Sequence, residues 1–232
     1  MPARIERERY FAELDYLELS ALFAGPQKPS SLAKWKAVAP DGTLGLVAPY
    51  VLTHRRAPDH PKAWPHDATT GDFRDGPLAR SAFDALAAAV TELGASCVVF
   101  RSAEDFSPSA ANRDQLARFF GEHPLEIERV WVPGGLWGVR TAAKLASELG
   151  VTLAVDPLVL DPSAPEERYE DLDVPALYFR IENAGRKGLV RNEKLEDLAA
   201  LIEHYEDLPL TVAFASPERW QDARNFKKLL ES

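Results

Sequence analysis

Residues 77–102, PLARSAFDALAAAVTELGASCVVFRS, carry the pattern that decides the fold. In the first part, apolar residues such as Phe83, Leu86 and Val90 recur at helical spacing, and Gly94 supplies a C-terminal stop. The apolar run ASCVVFRS follows directly and is typical of a strand that is buried on both faces. A helix followed by such a strand is the unit from which helix-covered parallel sheets are built.

The same alternation recurs along the chain. It predicts seven strands, at 16–23, 44–50, 95–102, 127–134, 152–159, 176–183 and 210–216. It predicts helices at 30–38, 77–94, 109–123, 137–150, 192–206 and 217–231, with Ser109 and Asn192 as N-caps and Pro217 in a first helical turn. Seven units are too many for a small Rossmann domain and one short of a closed eight-stranded barrel. We therefore expect an α/β fold, an incomplete TIM-barrel-like (β/α) barrel of seven parallel strands, forming a single domain over residues 1–232.

Composition narrows the classes of partner. The 232 residues carry a net charge of −9 and a sequence pI of about 5.1, which disfavours nucleic acid and anionic membranes as partners. The single cysteine, Cys97, lies in an apolar run and is expected to be buried and inert. The charged N-terminus does not resemble a signal peptide, and no run approaches the roughly 18 apolar residues of a membrane span. These features predict a cytoplasmic protein.

Two stretches interrupt the alternation. Residues 55–77 are rich in proline, aspartate and histidine and predict a long loop, either a lid or wall of a site or an ordinary surface insertion. Residues 161–175 replace an expected helix with an irregular acidic connection.

Charged residues at the ends of strands are the first candidates for a site. Asp156 and Glu182 are candidate catalytic carboxylates, because each follows an apolar strand where barrel enzymes place such groups. Arg180 could anchor a carboxylate or phosphate, with Arg101 as a second cation, and Glu18 is a carboxylate inside an apolar strand. The alternative is that all five residues form a self-satisfied ionic network that fills the barrel.

The histidines and tryptophans give weaker signals. His54 opens the long loop and is a candidate ligand-binding residue, although a lone loop histidine is more often a surface side chain. His60 and His66 match no zinc pattern, so we expect no metal and no cofactor. Trp137 could wall a ligand pocket, like the other tryptophans near strand ends, or could simply fill the core.

The order of these segments resembles the YecE-like family of uncharacterised TIM-barrel proteins, known as domain of unknown function 72. FAELDYLELSALF is similar to the family pattern F.TVEINSTFY, and LAKWKAVAPDG with LVAPYVLTH is similar to W...TP..F.FAVK....ITH. RVWVPGGLWGVRTAAKLASELGVTLAVDPL resembles AVEFRH.SW......LL.....VA.V..D.P, and ALYFRIEN resembles AYVRLHG. His54 matches the histidine of the family's ITH. The resemblance covers nearly the whole chain and implies a TIM barrel without an established activity.

The departures from the family pattern concern polar groups at strand ends. The family's opening strand, with its GTSGW segment, has no counterpart, which accounts for seven strands instead of eight. Within the matched blocks the polar family residues are replaced at these positions: Ser20, Ala24, Val47, Arg101, Trp131, Pro133, Gly134, Glu182, Asn183, Ala215 and Ser216. Trp137 keeps the family residue. The resemblance therefore implies that the fold persists while the ancestral site has been lost.

Two classes of function follow. The first is a degenerate, non-catalytic barrel that binds a small anionic or polyol ligand, or a protein partner, at its C-terminal face. The alternative is a hydrolase or lyase acting on a small phosphorylated or sugar-like substrate, with Asp156 or Glu182 as general base and Arg180 as anion anchor. A missing strand also leaves two exposed strand edges, which we expect the N-terminal residues 1–10 or a second subunit to cover.

Overall fold

The computed structural model of the protein describes residues 5–60, 62–159, 169, 172–183 and 187–231. In these ranges seven strands form one sheet, in which all neighbours are parallel and the spatial order is the chain order. The strands are β1 Leu17–Leu19, β2 Leu44–Val47, β3 Cys97–Arg101, β4 Glu128–Val132, β5 Thr152–Val155, β6 Leu177–Ile181 and β7 Leu210–Phe214. The predicted α/β, TIM-barrel-like fold with seven parallel strands is therefore confirmed.

Helices connect the strands and cover the outside of the sheet. They are α1 Arg7–Glu13, α2 Ala21–Ala24, α3 Pro29–Lys36, α4 Tyr50–Thr53, α5 Pro77–Leu93, α6 Ala110–Glu122, α7 Val139–Leu149, α8 Asn192–His204 and α9 Arg219–Leu230. Helix α5 buries Phe83 and Leu86, and it ends at Gly94, whose φ of 60° is the left-handed conformation predicted for a stop. Ser109 caps α6 as predicted, accepting the Asn112 N–H at 3.2 Å.

Three predicted boundaries are wrong. The first strand ends before Ser20, where a turn leads into α2 instead of continuing the strand to residue 23. Asn192 is the first residue of α8 and not its N-cap, because the extended backbone before the helix is that of Arg191. Pro217 precedes α9 and is not part of its first turn, since a separate turn joins the Arg219 N–H to the carbonyl of residue 216.

Alternate strand residues point into the barrel. The register places Glu18, Gly45 and Cys97 side by side on this inner face. A Cβ atom on Gly45 would overlap the Tyr16 hydroxyl, so the glycine makes room for a tyrosine ring inside the barrel. The inner cluster consists of Cys97, Val99, Val130, Ala154, Tyr178 and Ala213, with Tyr16 and Val132 packed on it. The larger core lies between the sheet and the helices.

The barrel wall is open between β1 and β7, which do not pair in the described part of the chain. A cleft of about 700 Å³, called the seam cleft below, runs between these two strands beneath α1 and α9. The two helices meet above it: the rings of Tyr10 and Trp220 lie 5.3 Å apart, and Arg224 Nε lies 2.5 Å from a Glu13 carboxylate oxygen. The N-terminal region thus covers the opening from outside as a helix, with residues 1–4 outside the described residues. Cover by a second subunit stays a prediction.

The loop that follows α4 is a fixed part of the wall. Its Trp64 is buried and donates its indole N–H to the Leu22 carbonyl at 2.7 Å. Phe73, near its end, is fully buried against Phe106 and Phe119. Such anchoring favours a wall over a lid. The predicted acidic connection at 161–175 lies outside the described residues except for 169 and 172–175.

None of the helices in the described ranges combines the length and the apolar character that crossing a membrane requires.

Candidate ligand site at the barrel mouth

A buried ion pair lies at the upper, C-terminal end of the barrel interior. Arg180 on β6 donates from Nε to Glu18 Oε2 at 2.9 Å and from Nη2 to Glu18 Oε1 at 2.8 Å. Their side chains are only 8% and 12% exposed, respectively. Burial alone would lower the pKa of the Arg180 guanidinium, but the Glu18 carboxylate outweighs it and holds that pKa above its ordinary value. The guanidinium is therefore charged, and the pair joins β1 to β6 across the interior.

A hydrogen-bonded layer lies beneath this pair. The Tyr178 hydroxyl donates to Glu18 Oε2 at 3.1 Å and lies 2.9 Å from the Tyr16 hydroxyl, which is 3.2 Å from Cys97 Sγ. Burial raises the pKa of Cys97 to about 12 and raises the pKa values of both tyrosines well above the ordinary range. These groups are neutral at physiological pH, so the thiol is not a nucleophile. The layer closes the floor of the mouth.

Glu182 and Arg101 extend the charge chain toward solvent. Arg180 Nη1 is ion-paired with Glu182, whose carboxylate also lies 3.8 Å from Arg101 Nη2. The side chains of Glu182 and Arg101 are 44% and 37% exposed, respectively. The four residues of this chain form what we call the mouth cluster: Glu18, Arg180, Glu182 and Arg101.

Among the carboxylates of the described residues, Asp156, directly after β5, has the most perturbed ionisation. Its oxygens accept the backbone N–H groups of Leu158 at 3.1 Å and Glu182 at 2.8 Å. Burial raises its pKa to about 6, against the opposing effects of the backbone hydrogen bonds and of Arg180. The group therefore changes charge near neutrality and ties the ends of β5 and β6 together.

An aromatic residue and a histidine border the cluster on the side of the long loop. The Arg101 guanidinium lies 5.8 Å from the centre of the Phe23 ring, and that ring meets His54 edge-on at 5.2 Å. Burial, and then the positive charge of Arg101, lower the pKa of His54, so the imidazole is neutral at pH 7. Its Nδ1 lies 2.7 Å from the Thr53 hydroxyl. The structure thus brings the predicted His54 close to the mouth cluster.

Trp137 has a different environment. It is buried, its indole N–H donates to the Phe106 carbonyl at 2.7 Å, and its ring packs edge-on against Trp131 at 5.0 Å. A Cβ on Gly134 or Gly135 would overlap backbone of the preceding loop, at residues 102–104. The glycine turn after β4 and Trp137 therefore hold two loops together, and these contacts are structural.

The described residues contain no group of three or more histidine, cysteine, aspartate or glutamate side chains that could hold a metal ion. His66 lies 3.1 Å from the Tyr50 hydroxyl, and the His60 Nδ1 accepts the backbone N–H of Lys62. Both contacts are local to the anchored loop.

Sequence reasoning missed Phe23 and Tyr178 as neighbours of the cluster. Tyr178 could have been predicted from the sequence, because it alternates with Arg180 and Glu182 in the run YFRIE and must share their face. Phe23 could not have been predicted, since the strand expected at 16–23 left out the turn that brings this residue to the mouth.

Taken together, the fold and the mouth define an open α/β barrel with a charge-balanced polar cluster at the C-terminal ends of its strands. A comparison of the sequence with models of known protein families finds no match, and neither does a comparison with curated proteins.

Solved structures are similar over nearly the whole chain. A DUF72 family protein from Enterococcus faecalis V583 aligns with a TM-score of 0.73 and 11% identity, covering 99% of this chain and 89% of that one. A DUF72 family protein from Thermotoga maritima MSB8 aligns with a TM-score of 0.65 and 16% identity, covering 100% and 92%, respectively. The protein therefore has the fold of DUF72 proteins, the family that its sequence resembles.

Proposed function

We propose that the protein is a non-catalytic barrel that binds a small neutral polyol or sugar at the mouth cluster. The observation that carries this proposal is that Glu18 and Glu182 balance Arg180 and Arg101 in one chain of ion pairs. The solvent end of that chain offers carboxylate acceptors and guanidinium donors, which together suit hydroxyl groups. Phe23 supplies an apolar face beside them, and pockets for small molecules combine such features.

Charge balance favours a neutral ligand over an anion. A phosphate or carboxylate would have to displace Glu182 or Glu18 from the arginines, leaving a carboxylate uncompensated close to a buried site. A hydroxyl group can instead accept from Arg101 and donate to Glu182 without removing either charge from its partner. The seam cleft supplies space next to the cluster, because Glu18, Arg101 and Arg180 line its upper end.

The pairing also argues against a free catalytic base. The Glu182 carboxylate is engaged by two arginines, and the Asp156 carboxylate accepts two backbone N–H groups. Proton abstraction by either group would require its present partners to be given up.

A thermal-shift screen with unphosphorylated hexitols, pentitols and monosaccharides, and with their monophosphates, tests this proposal. We expect stabilisation by neutral compounds that Glu182→Gln reduces, while the control Glu196→Gln on the exposed surface of α8 leaves it unchanged. Stabilisation by the phosphates alone would overturn the assignment of ligand class. No stabilisation by any compound would remove the small-ligand function.

The raised pKa of Asp156 favours one alternative, a hydrolase or lyase for a sugar-like substrate. A carboxyl group with a pKa of about 6 beside a polar mouth suits general acid–base catalysis near neutrality. In this alternative, Asp156→Asn abolishes turnover, and kcat/KM of the wild type follows an ionisation near pH 6. Ligand binding without turnover, retained in Asp156→Asn, would exclude it.

We further propose that the chain is a divergent DUF72 member forming one domain over residues 1–232 and acting in the cytoplasm. The ordered sequence resemblance and the shared fold support the family. The acidic composition and the single buried cysteine are in keeping with a reducing compartment.

A further inference from the structure

Strand β7 leaves a row of backbone groups facing the seam cleft. Leu177 N–H donates to the Pro209 carbonyl at 3.0 Å, and Ala215 N–H donates to the Ile181 carbonyl at 2.8 Å. In a parallel ladder only alternate residues face a given neighbour. With Phe179 paired to Val212, the N–H and C=O of Val212 therefore point away from β6 and into the cleft.

Strand β1 forms the opposite wall of the seam cleft and runs in the same direction as β7. Its Leu17 N–H donates to the Thr43 carbonyl at 2.9 Å, so the backbone of Leu17 and Leu19 faces β2. The backbone groups of Glu18 point into the cleft by the same alternation. The Tyr16 carbonyl already accepts the Tyr10 hydroxyl at 2.9 Å. Two strand edges, both running upward, thus face each other across one opening.

The shape of the cleft selects a single extended chain. On its outer side α1 and α9 meet through Tyr10 with Trp220 and through Glu13 with Arg224, so a folded sheet edge of a second copy would have to break these contacts to enter. The outer wall is apolar, with Leu14, Phe214 and Phe226, and the inner wall carries Thr211 and Ala213. A strand with apolar side chains on one face and small polar side chains on the other matches both walls.

The charges along the cleft fix the direction and the end of that strand. At the lower end Asp15 is ion-paired with Lys227 at 3.1 Å, so the carboxylate of Glu128 is the negative charge that lines it without a cation among the described residues, while Arg219 lies at the upper end, at the start of α9. Arg219 Nη1 donates to the Ser216 carbonyl at 3.2 Å, and within the described part of the chain no carboxylate is ion-paired with the guanidinium. A strand parallel to β1 and β7 ends at the top, so a terminal carboxylate would reach Arg219.

We propose that the seam cleft binds the extended C-terminal tail of a partner protein as an eighth, parallel strand. The tail carries a basic residue opposite Glu128, about six residues before the residue whose terminal carboxylate reaches Arg219. Its side chains alternate between apolar, toward α1 and α9, and small polar, toward Tyr16. The two proposed sites meet at the upper end of the seam cleft, where Glu18, Arg101 and Arg180 line it, but this one takes a peptide and uses the backbone edges of β1 and β7.

The test uses fluorescence anisotropy with an array of labelled seven-residue peptides. Each begins with Lys, alternates Val, Ile or Leu with Ser, and ends in a free carboxylate or in an amide. We expect carboxylate peptides to bind, and amidation or Arg219→Gln to weaken binding by about tenfold, as for loss of a charge-assisted hydrogen bond. Arg219→Gln should also abolish the difference between carboxylate and amide.

Val212→Pro removes the N–H that faces the cleft and leaves the β6 pairing intact, as an edge strand tolerates. It should reduce binding by about tenfold, whereas the control Val212→Ala, which keeps the N–H, should stay within about twofold. Hydrogen exchange on the wild type should show the Glu18 and Val212 amides protected only with peptide present, which keeps the proposal testable if the proline variant does not fold.

Equal binding to both Val212 variants, or no binding by any peptide, would overturn the proposal. So would a wild-type dimer in light scattering that Val212→Pro converts to monomer, because the occupant would then be a second copy. A retained response to polyols in Val212→Pro separates this site from the mouth.

Discussion

Replacing Asp156 with asparagine should change how stability depends on pH. The folded structure raises the pKa of this carboxyl from its ordinary value of 3.8 to about 6, mainly by burial. A raised folded-state pKa means that the group favours folding while it is protonated. Its contribution is fully present below about pH 3.8 and is lost as the pH rises through about 6. Ionised Asp156 is therefore a cost to the protein at neutral pH.

The size of this effect follows from the shift. Each pKa unit corresponds to about 1.4 kcal/mol, so the free energy of unfolding falls by about 3 kcal/mol in total as Asp156 ionises. About 2 kcal/mol of this fall lies between about pH 4 and about pH 8. Asparagine stays neutral throughout, and it loses one backbone hydrogen bond at every pH, at a cost of about 1 kcal/mol. The free energy of unfolding of Asp156→Asn minus that of the wild type should therefore rise by about 2 kcal/mol over this interval.

Urea unfolding at a series of pH values measures this difference, with the exposed Asp173→Asn as the matched control. The control difference should be flat. A flat difference for Asp156→Asn as well would refute the claim that burial perturbs this carboxyl, and a falling one would show that its folded-state pKa is lowered.

Three further predictions concern the framework, each measured by urea unfolding. Arg180→Met should lower the free energy of unfolding by about 3–5 kcal/mol, because it leaves the Glu18 carboxylate buried without its partner. The double variant Glu18→Gln/Arg180→Met should recover most of that loss, and equal losses would contradict a paired interior. Gly45→Ala should lower the free energy of unfolding by about 1–3 kcal/mol through overlap with the Tyr16 ring. Adding Tyr16→Leu in the same chain should relieve that loss. An unchanged stability of Gly45→Ala would show that the ring lies elsewhere. Gly135→Ala should cost about 1–3 kcal/mol, since its φ of 66° disfavours a side chain, and a neutral result would contradict the close approach of the two loops.

Much of the fold is predictable from local pattern, because each β/α unit carries its own signal. The strand at 95–102 follows a helix with a regular apolar face and a glycine stop, and the structure places both elements there. The residues at which strands and helices end were harder to predict from the sequence. The turn at Ser20 comes within an unbroken apolar run, and only packing against the long loop, as between Trp64 and Leu22, shows where the strand stops.

The site was predictable in membership and less so in arrangement. Sequence pattern marked Glu18, Arg180 and Glu182 as charged candidates within or after apolar strands, and the structure joins all three in one chain of ion pairs. It could not show that Asp156 contacts Glu182 through the backbone, because that depends on the register of β5 and β6. Trp137 stands near a strand end in sequence, and only its contact with Trp131 reveals that it faces the core.

We propose that the mouth of this open barrel is a charge-balanced cluster suited to a neutral ligand. Isothermal titration calorimetry with a stabilising polyol and its phosphate ester, on wild type and on Glu182→Gln, measures it directly. We expect saturable binding of the polyol, weaker binding of its phosphate, and loss of polyol binding in the variant. Tighter binding of the phosphate, strengthened by Glu182→Gln, would contradict it.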